Sequence, residues 1–276
     1  MRKYLGILLG IIFTITSCSP NRPAANAMTG TPAGEPERLR VLCYNIHYAN
    51  PPSKPGLIDL DAIARVIRQE SPDIVALQEV DVHTGRSGKM DEARLLAEKA
   101  GMKAYFFAKA IDHDGGDYGV AILSNFDLLE THHYPLPDDP ALKSEPRVLA
   151  TARMKTPRGF EFIFATTHLE VRGESNRLIQ VEEIKQIVTA TPLPMVIAGD
   201  FNAQPDSETI RRIDQLFTRT CDPCDPTIPV INPNRAIDFI AFRPEAKFRV
   251  ISHKVIPEQY ASDHLPIFSV LEIIPN

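Results

Sequence analysis

The chain has 276 residues, 43% hydrophobic and 24% charged, enough to build one sizeable core and too apolar for a disordered or fibrous protein. Thirty basic residues against 35 acidic ones leave a net charge of −5, without any run of Lys or Arg. With no Trp and 7% aromatic residues, this counts against a generic basic, base-stacking surface and makes nucleic acid a possible but not a favoured partner.

Arg2 and Lys3 form a short positive region, and Tyr4 to Ile15 is apolar apart from Thr14, too short a run to span a membrane. It ends in Ile15-Thr16-Ser17-Cys18, which resembles the lipobox of bacterial lipoproteins. The resemblance implies a signal peptide over 1–17, cleavage before Cys18 and lipidation of its thiol; an ordinary secretory signal is the alternative. Residues 18–37, rich in Pro, Ala, Asn, Gly and Thr, read as a flexible tether. The folded domain is then 38–276, with no composition break or internal repeat to divide it. The expectation is an exported monomer with a membrane as partner through its lipid anchor, the outer membrane being the guessed location. Loss of Arg2 and Lys3 with the leader takes the charge to about −7.

Residues 39–46 alternate as a first strand. Asp59 caps a helix from Leu60 to Gln69, stopped by Pro72, and Asp73-Ile74-Val75-Ala76-Leu77 is the continuous apolar run of a strand buried on both faces. A polar loop over 81–89 leads to a helix near Asp91–Ala100, closed by Gly101. Strands follow at about 103–108, 118–124, 147–155 and 160–167. Asp112-His113-Asp114-Gly115-Gly116-Asp117 lacks the spacing and distal Glu of a calcium loop and reads as a hairpin connection. A helix spans about 175–189 with Leu178, Val181, Ile184, Ile187 and Val188 inward, followed by an apolar strand ending at Asp200. The last strands fall at about 237–242, 247–254 and 265–272. Cys43 reads as a buried small hydrophobe. Cys221 and Cys224 read first as a local disulfide and second as free thiols.

Two stretches repeat one pattern: helix, proline, apolar strand, carboxylate. The first ends in Gln78-Glu79 and the second in Gly199-Asp200, so two αβ units each deliver an acid to a common edge. Asn45, His168, Asp238 and the Ser262-Asp263-His264 segment also adjoin apolar runs. Metal-assisted phosphoester cleavage needs such groups: oxygen ligands at about 2.0–2.1 Å for a hard cation, a base for water, and a donor to the leaving oxygen.

Tyr44-Asn45-Ile46, Leu77-Gln78-Glu79-Val80, Tyr118-Gly119-Val120-Ala121-Ile122-Leu123-Ser124, Thr167-His168-Leu169, Gly199-Asp200-Phe201-Asn202, Ile237-Asp238-Phe239-Ile240 and Ser262-Asp263-His264-Leu265-Pro266 occur in that order. In this the chain resembles the endonuclease/exonuclease/phosphatase superfamily, from about Leu39 to Ile274. The resemblance implies an α/β fold, a four-layer α/β/β/α sandwich of two mixed sheets flanked by helices, with the site at one edge. It implies Mg²⁺, with Mn²⁺ as a substitute, held by Glu79 with Asn45 and Asp263. Asp200 and Asn202 would position the attacking water and bind phosphate, and Asp238 would orient His264. His168 would be a candidate acid for the leaving group. Either Asp200 or His264 could take the water's proton. His47, Arg86, Asp91 and Arg147 adjoin the inferred site, and His47, Arg86 and Arg147 are candidates for contacting substrate or phosphate. The charge balance tilts the expected substrate toward a small or lipid-derived phosphoester. A cell-surface nuclease and an inactive binding lipoprotein are the alternatives.

Overall fold

In β1 (Arg38–Asn45), Leu39, Val41 and Cys43 face one way, Leu42 and Tyr44 the other, and both sets are buried. A strand apolar on both faces needs cover on each. The computed structural model of the chain describes residues 34–142 and 144–275 and provides both covers. The leader, Cys18 and most of the expected tether lie outside the described residues.

The first sheet contains β1, β2 (Ile74–Val82), β3 (Ala104–His113), β4 (Gly116–Ser124), β11 (Phe248–Val255) and β12 (Ile267–Ile273), in the order β11-β12-β1-β2-β4-β3. The second contains β5 (Glu130–Leu136), β6 (Arg147–Lys155), β7 (Glu161–His168), β8 (Met195–Asp200), β9 (Thr218–Arg219) and β10 (Asp238–Arg243), in the order β5-β6-β7-β8-β10-β9. Each sheet is antiparallel except for one internal parallel pair, β1/β2 and β7/β8. A parallel pair requires a crossover: α1 (Leu60–Glu70) connects β1 to β2, and α3 (Glu174–Thr189) connects β7 to β8.

Between the sheets lie Val41, Ile74, Ile122, Phe162, Phe164, Val196, Ile240 and Phe242. The outer face of the first sheet is covered by α1 and α2 (Glu92–Ala100), with Ile63, Ile67 and Leu96 against Val75 and Leu77. That of the second is covered by α3 and α4 (Glu208–Asp214), with Val181, Ile184 and Ile210 against Ile197 and Phe239. The result is the expected four-layer α/β sandwich. The folded unit begins at Pro36, and Glu37, read as the last tether residue, already accepts the Ile273 N–H at 2.8 Å.

Several elements depart from the reading. Asp91, placed beside the site, caps α2 by accepting Arg94 N–H at 3.0 Å. β5 went unread because it is an exposed edge strand carrying Pro135, without apolar alternation. At the start of α3 the buried positions are Asn176 and Gln180, which accept the N–H groups of Asp139 and Glu170. Leu178 and Ile187 are only half-buried. Cys221 and Cys224 form the local disulfide, and Cys43 is buried and free. Residues 112–117 make the β3–β4 hairpin. Among the described residues no helix is long and apolar enough to cross a membrane.

Candidate active site

Strand parity carries the functional side chains to one place. Asn45 follows Leu39, Val41 and Cys43; His168 follows Phe162 and Phe164; Asp200 follows Val196 and Ala198; Asp238 precedes Ile240 and Phe242. All of those apolar partners line the space between the sheets, so at this edge the core ends in a polar layer. In register, Asp200 lies between His168 on β7 and Asp238 on β10.

Glu79 has the wrong parity, since Val75 and Leu77 face the helices. The ladder to β4 slips there: Leu77 pairs with Ala121 and Val80 with Gly119, one extra residue on β2. Glu79 takes φ +56°, a left-handed conformation that costs a non-glycine residue about 1–2 kcal/mol. The bulge re-aims the side chain into the site. There its Oε1 accepts from Asn45 Nδ2 at 3.1 Å, and the same amide donates to Asp200 Oδ2, also at 3.1 Å. Asn45 Oδ1 accepts His47 N–H at 3.1 Å, so in this arrangement Asn45 links the two acids.

Ser262 Oγ donates to the Asn45 carbonyl at 2.7 Å, fixing the segment that presents Asp263 and His264. His264 Nδ1 lies 2.9 Å from Asp238 Oδ2, and its Nε2 lies 3.7 Å from Asp200 Oδ2. Thr227 Oγ1 donates to the same Asp238 oxygen. Burial opposes charge on His264, but Asp238 and Asp200 outweigh it and push the imidazole up to about 10, so the ring is a cation at neutral pH. Burial, then the Asp238 charge, pushes the Asp200 carboxyl up to about 7. His168 Nε2 is 3.5 Å from Asp200 Oδ2. Burial, then the charges of Arg147 and His264, hold His168 well below the usual histidine range. Both effects favour the neutral ring. Asn202, at φ +48°, donates its N–H to Asp200 Oδ1 at 2.8 Å and its NH₂ to the Leu169 carbonyl at 2.9 Å.

Two corners compete as a cation site. Asp200, Asp238 and His264 each place one donor atom within 4.8 Å of the others, but there the imidazolium already provides the positive charge. At Glu79, burial raises the carboxyl against the Asn45 hydrogen bond, and the neighbouring Asp263 carboxylate raises it further. Glu79 and Asp263 are two half-buried carboxylates that repel one another, offset in part by His264 and His47, and hard oxygen donors of this kind fit a hard divalent cation.

The three candidate substrate contacts differ. His47 opens three consecutive left-handed residues, His47, Tyr48 and Ala49; its Nδ1 lies 2.9 Å from the Asn50 carbonyl and must carry the proton, leaving Nε2 open. Arg86 is not a free clamp. Its Nε and Nη2 hold buried Asp81 at 2.7 and 2.8 Å, and its guanidinium stacks on Tyr48 at 3.9 Å. Arg147 is buried, with Nη1 3.3 Å from Glu145 and Nε 3.7 Å from Glu170, so it too is ion-paired within the protein. The sequence reading assigned no role to Tyr118, although it shares parity with Val120 and Ile122 and feels the charges of Glu79 and Arg147.

Residues 42–264 match the Endonuclease/Exonuclease/phosphatase family. Among curated proteins, nocturnin from Xenopus laevis is 28% identical over 165 residues, covering 54% of this chain and 41% of nocturnin. The match thus spans less than half of that relative's length. Among solved structures, an endonuclease/exonuclease/phosphatase from Beutenbergia cavernae superposes with a TM-score of 0.73 at 25% identity, covering 86% of this chain and 72% of that one. A mannosyl-6-phosphatase from Bacteroides thetaiotaomicron shares the fold with a TM-score of 0.66 at 22% identity, covering 86% of this chain and 100% of that one.

Proposed function

Because the chain belongs to the endonuclease/exonuclease/phosphatase family, whose members are metal-dependent hydrolases of phosphoester bonds, we propose an exported, lipid-anchored, Mg²⁺-dependent enzyme acting on a small or lipid-derived phosphoester. The observation that carries this reading is Asp200, in register between His168 and Asp238 and linked through Asn45 to Glu79. Glu79 and Asp263 are the carboxylates that would hold the cation. Bound there, a divalent cation would supply charge neutralisation at the phosphate oxygens.

The remaining steps belong to the protein. Asp238 and Asp200 favour the protonated form of His264, which supports reading it as the donor of hydrogen bonds to the charge that develops on the phosphoryl oxygens, with Asp200 as the base. Asp200, raised toward neutrality, takes the proton from the attacking water. Asn202, whose N–H fixes the Asp200 carboxylate, keeps that base oriented. His168 donates a hydrogen bond near the leaving oxygen, and Tyr118 walls the site.

Phosphate or nitrophenol release tests this on bis-p-nitrophenyl phosphate, p-nitrophenyl phosphate, sphingomyelin, inositol phosphates, mannose 6-phosphate and plasmid DNA. Mg²⁺-dependent turnover of one small or lipid class, abolished by EDTA and by Glu79→Ala, is the expected result. Turnover confined to plasmid DNA would replace this reading with the nuclease. Anchoring is tested separately: Cys18→Ala should leave the protein unlabelled by radioactive palmitate and release it from the membrane fraction.

A further inference from the structure

The chain passes from β9 to Asp238 through residues 220–237, and two threonines fix that connection. Thr220 donates its N–H to the Ile240 carbonyl at 2.9 Å, and its hydroxyl meets His253 on β11 at 2.8 Å and Ser269 on β12 at 2.9 Å. Thr227 donates its hydroxyl to Asp238 Oδ2, and its carbonyl accepts the Leu265 N–H at 2.7 Å. Thr227 therefore supports both halves of the Asp238–His264 pair: the carboxylate itself and the residue after the imidazole. Between the two threonines, residues 221–226 make no backbone-to-backbone hydrogen bond among the described residues. The Cys221–Cys224 disulfide is what closes this stretch.

That disulfide has the surroundings of a reactive one. Cys221 packs into the apolar core of the second sheet, but Cys224 is half-buried and its sulfur accepts from Arg219 Nη1 at 3.2 Å. Arg219 is fixed in place, because its Nε and Nη2 hold Asp214 at 2.8 and 3.0 Å. Asp214 shares the charge, yet the guanidinium alone touches the sulfur. A cation held on a partly exposed sulfur draws in an attacking thiolate and stabilises the thiolate that is released.

We propose that Cys221–Cys224 is an exchangeable disulfide, opened by a dithiol of the kind carried by thiol–disulfide exchange proteins, and that opening it slackens the Thr227 support of the Asp238–His264 pair. The reductant's thiolate attacks Cys224 Sγ and breaks the S–S bond, and Cys221 leaves and takes a proton. The second thiol of the reductant then attacks the mixed disulfide and releases Cys224 beside Arg219. Two electrons and two protons pass to the two cysteines, and the reductant becomes a disulfide. The effect on turnover rests on the phosphohydrolase reading; the exchange and the slackening do not.

Treatment of the full mature chain with dithiothreitol, followed by alkylation and peptide mass measurement, tests the exchange, and hydrogen–deuterium exchange tests the slackening. Both cysteines should be alkylated while helix content holds, and Arg219→Gln should slow their reduction several-fold. Amide exchange should quicken at Thr227 and Leu265, and kcat should fall about tenfold and recover on reoxidation. Thr227→Val should lose a similar factor and no longer respond to reduction, whereas Thr227→Ser should still respond. A disulfide that resists dithiothreitol until the chain unfolds, or that opens with amide exchange unmoved, would overturn the proposal. So would quickened exchange with kcat unchanged. Quickened exchange in a protein that turns over no phosphoester in either state would support the redox device and count against the phosphohydrolase reading, so the two failures are distinguishable.

Discussion

The two sheets solve one problem in opposite ways. Each runs a helix, a proline and an apolar strand into an acid beside an internal parallel pair. In the second sheet Asp200 continues the alternation of Val196 and Ala198, stays in the ladder, and is fully buried between His168 and Asp238. In the first sheet Glu79 has the opposite parity, and a bulge with a left-handed residue turns it to a half-buried corner. On the proposed reading the buried acid in the regular ladder is the proton-transfer group and the acid swung out by the bulge holds the cation, although burial raises the pKa of both. Position in the pleat, more than residue type, divides the two roles.

Four measurements would break or sharpen that division. The largest effect is expected from Glu79→Gln, which keeps the side-chain shape and removes the charge: kcat should fall by about 10³-fold or more, with partial recovery at high Mg²⁺. Equal Mg²⁺ dependence in mutant and wild type would remove Glu79 from the cation corner. Asp200→Asn should cost about 10²–10³-fold in kcat while stabilising the metal-free protein by about 1–3 kcal/mol. The sign follows from its raised pKa: folded Asp200 holds its proton up to about 7, whereas the unfolded carboxyl loses it near about 4. Wild-type stability in EDTA should therefore fall as pH rises through that window, and the fall should flatten in the variant. Thermal melts at pH 5 and pH 8 read this directly.

Asp238→Asn removes the principal charge holding His264 protonated and should cost about 10–100-fold in kcat. Since the imidazolium persists up to about 10, activity should decline only at strongly alkaline pH in the wild type and nearer neutrality in the variant. An unmoved alkaline limb would mean that His264 charge is not required. The smallest effects are expected at two glycines, one beneath each acid. A Cβ on Gly199 would meet the Thr167 carbonyl oxygen at 2.2 Å, and one on Gly119, opposite the bulge, the Ala108 oxygen at 2.1 Å. Each Gly→Ala change should lower stability by about 1–3 kcal/mol, read from denaturant midpoints. A neutral Gly119→Ala would show that the bulged ladder has slack.

The four layers and the residues drawn together at the edge were legible because period-2 alternation and strand-end position both leave marks in one chain. What stayed hidden depends on backbone turns or distant partners. Nothing in His47-Tyr48-Ala49 signals three left-handed residues, so the Tyr48 ring under Arg86 could not be foreseen. Asp81, in a polar stretch read as loop, is completely buried as the partner of Arg86. Glu92 looks like an ordinary acid in the first turn of a helix, yet burial pushes it up to about 8 where it accepts the Asp81 N–H. Tyr118 was the exception: its parity with Val120 and Ile122 was readable and went unread.

The hydrogen bond from Asn45 to Asp200 joins residues 155 apart in the chain, and that from Ser262 to Asn45 joins residues 217 apart. β12, the strand that pairs with β1 on the side away from β2, is the last element among the described residues. The site thus depends on long-range closures, the kind that form slowly and late, around a few local bonds such as Asn202 to Asp200. A fragment ending before residue 262 would lack the segment that presents Asp263 and His264. Turnover is therefore a stringent probe of complete folding: a refolding time course followed by activity should lag one followed by helix content.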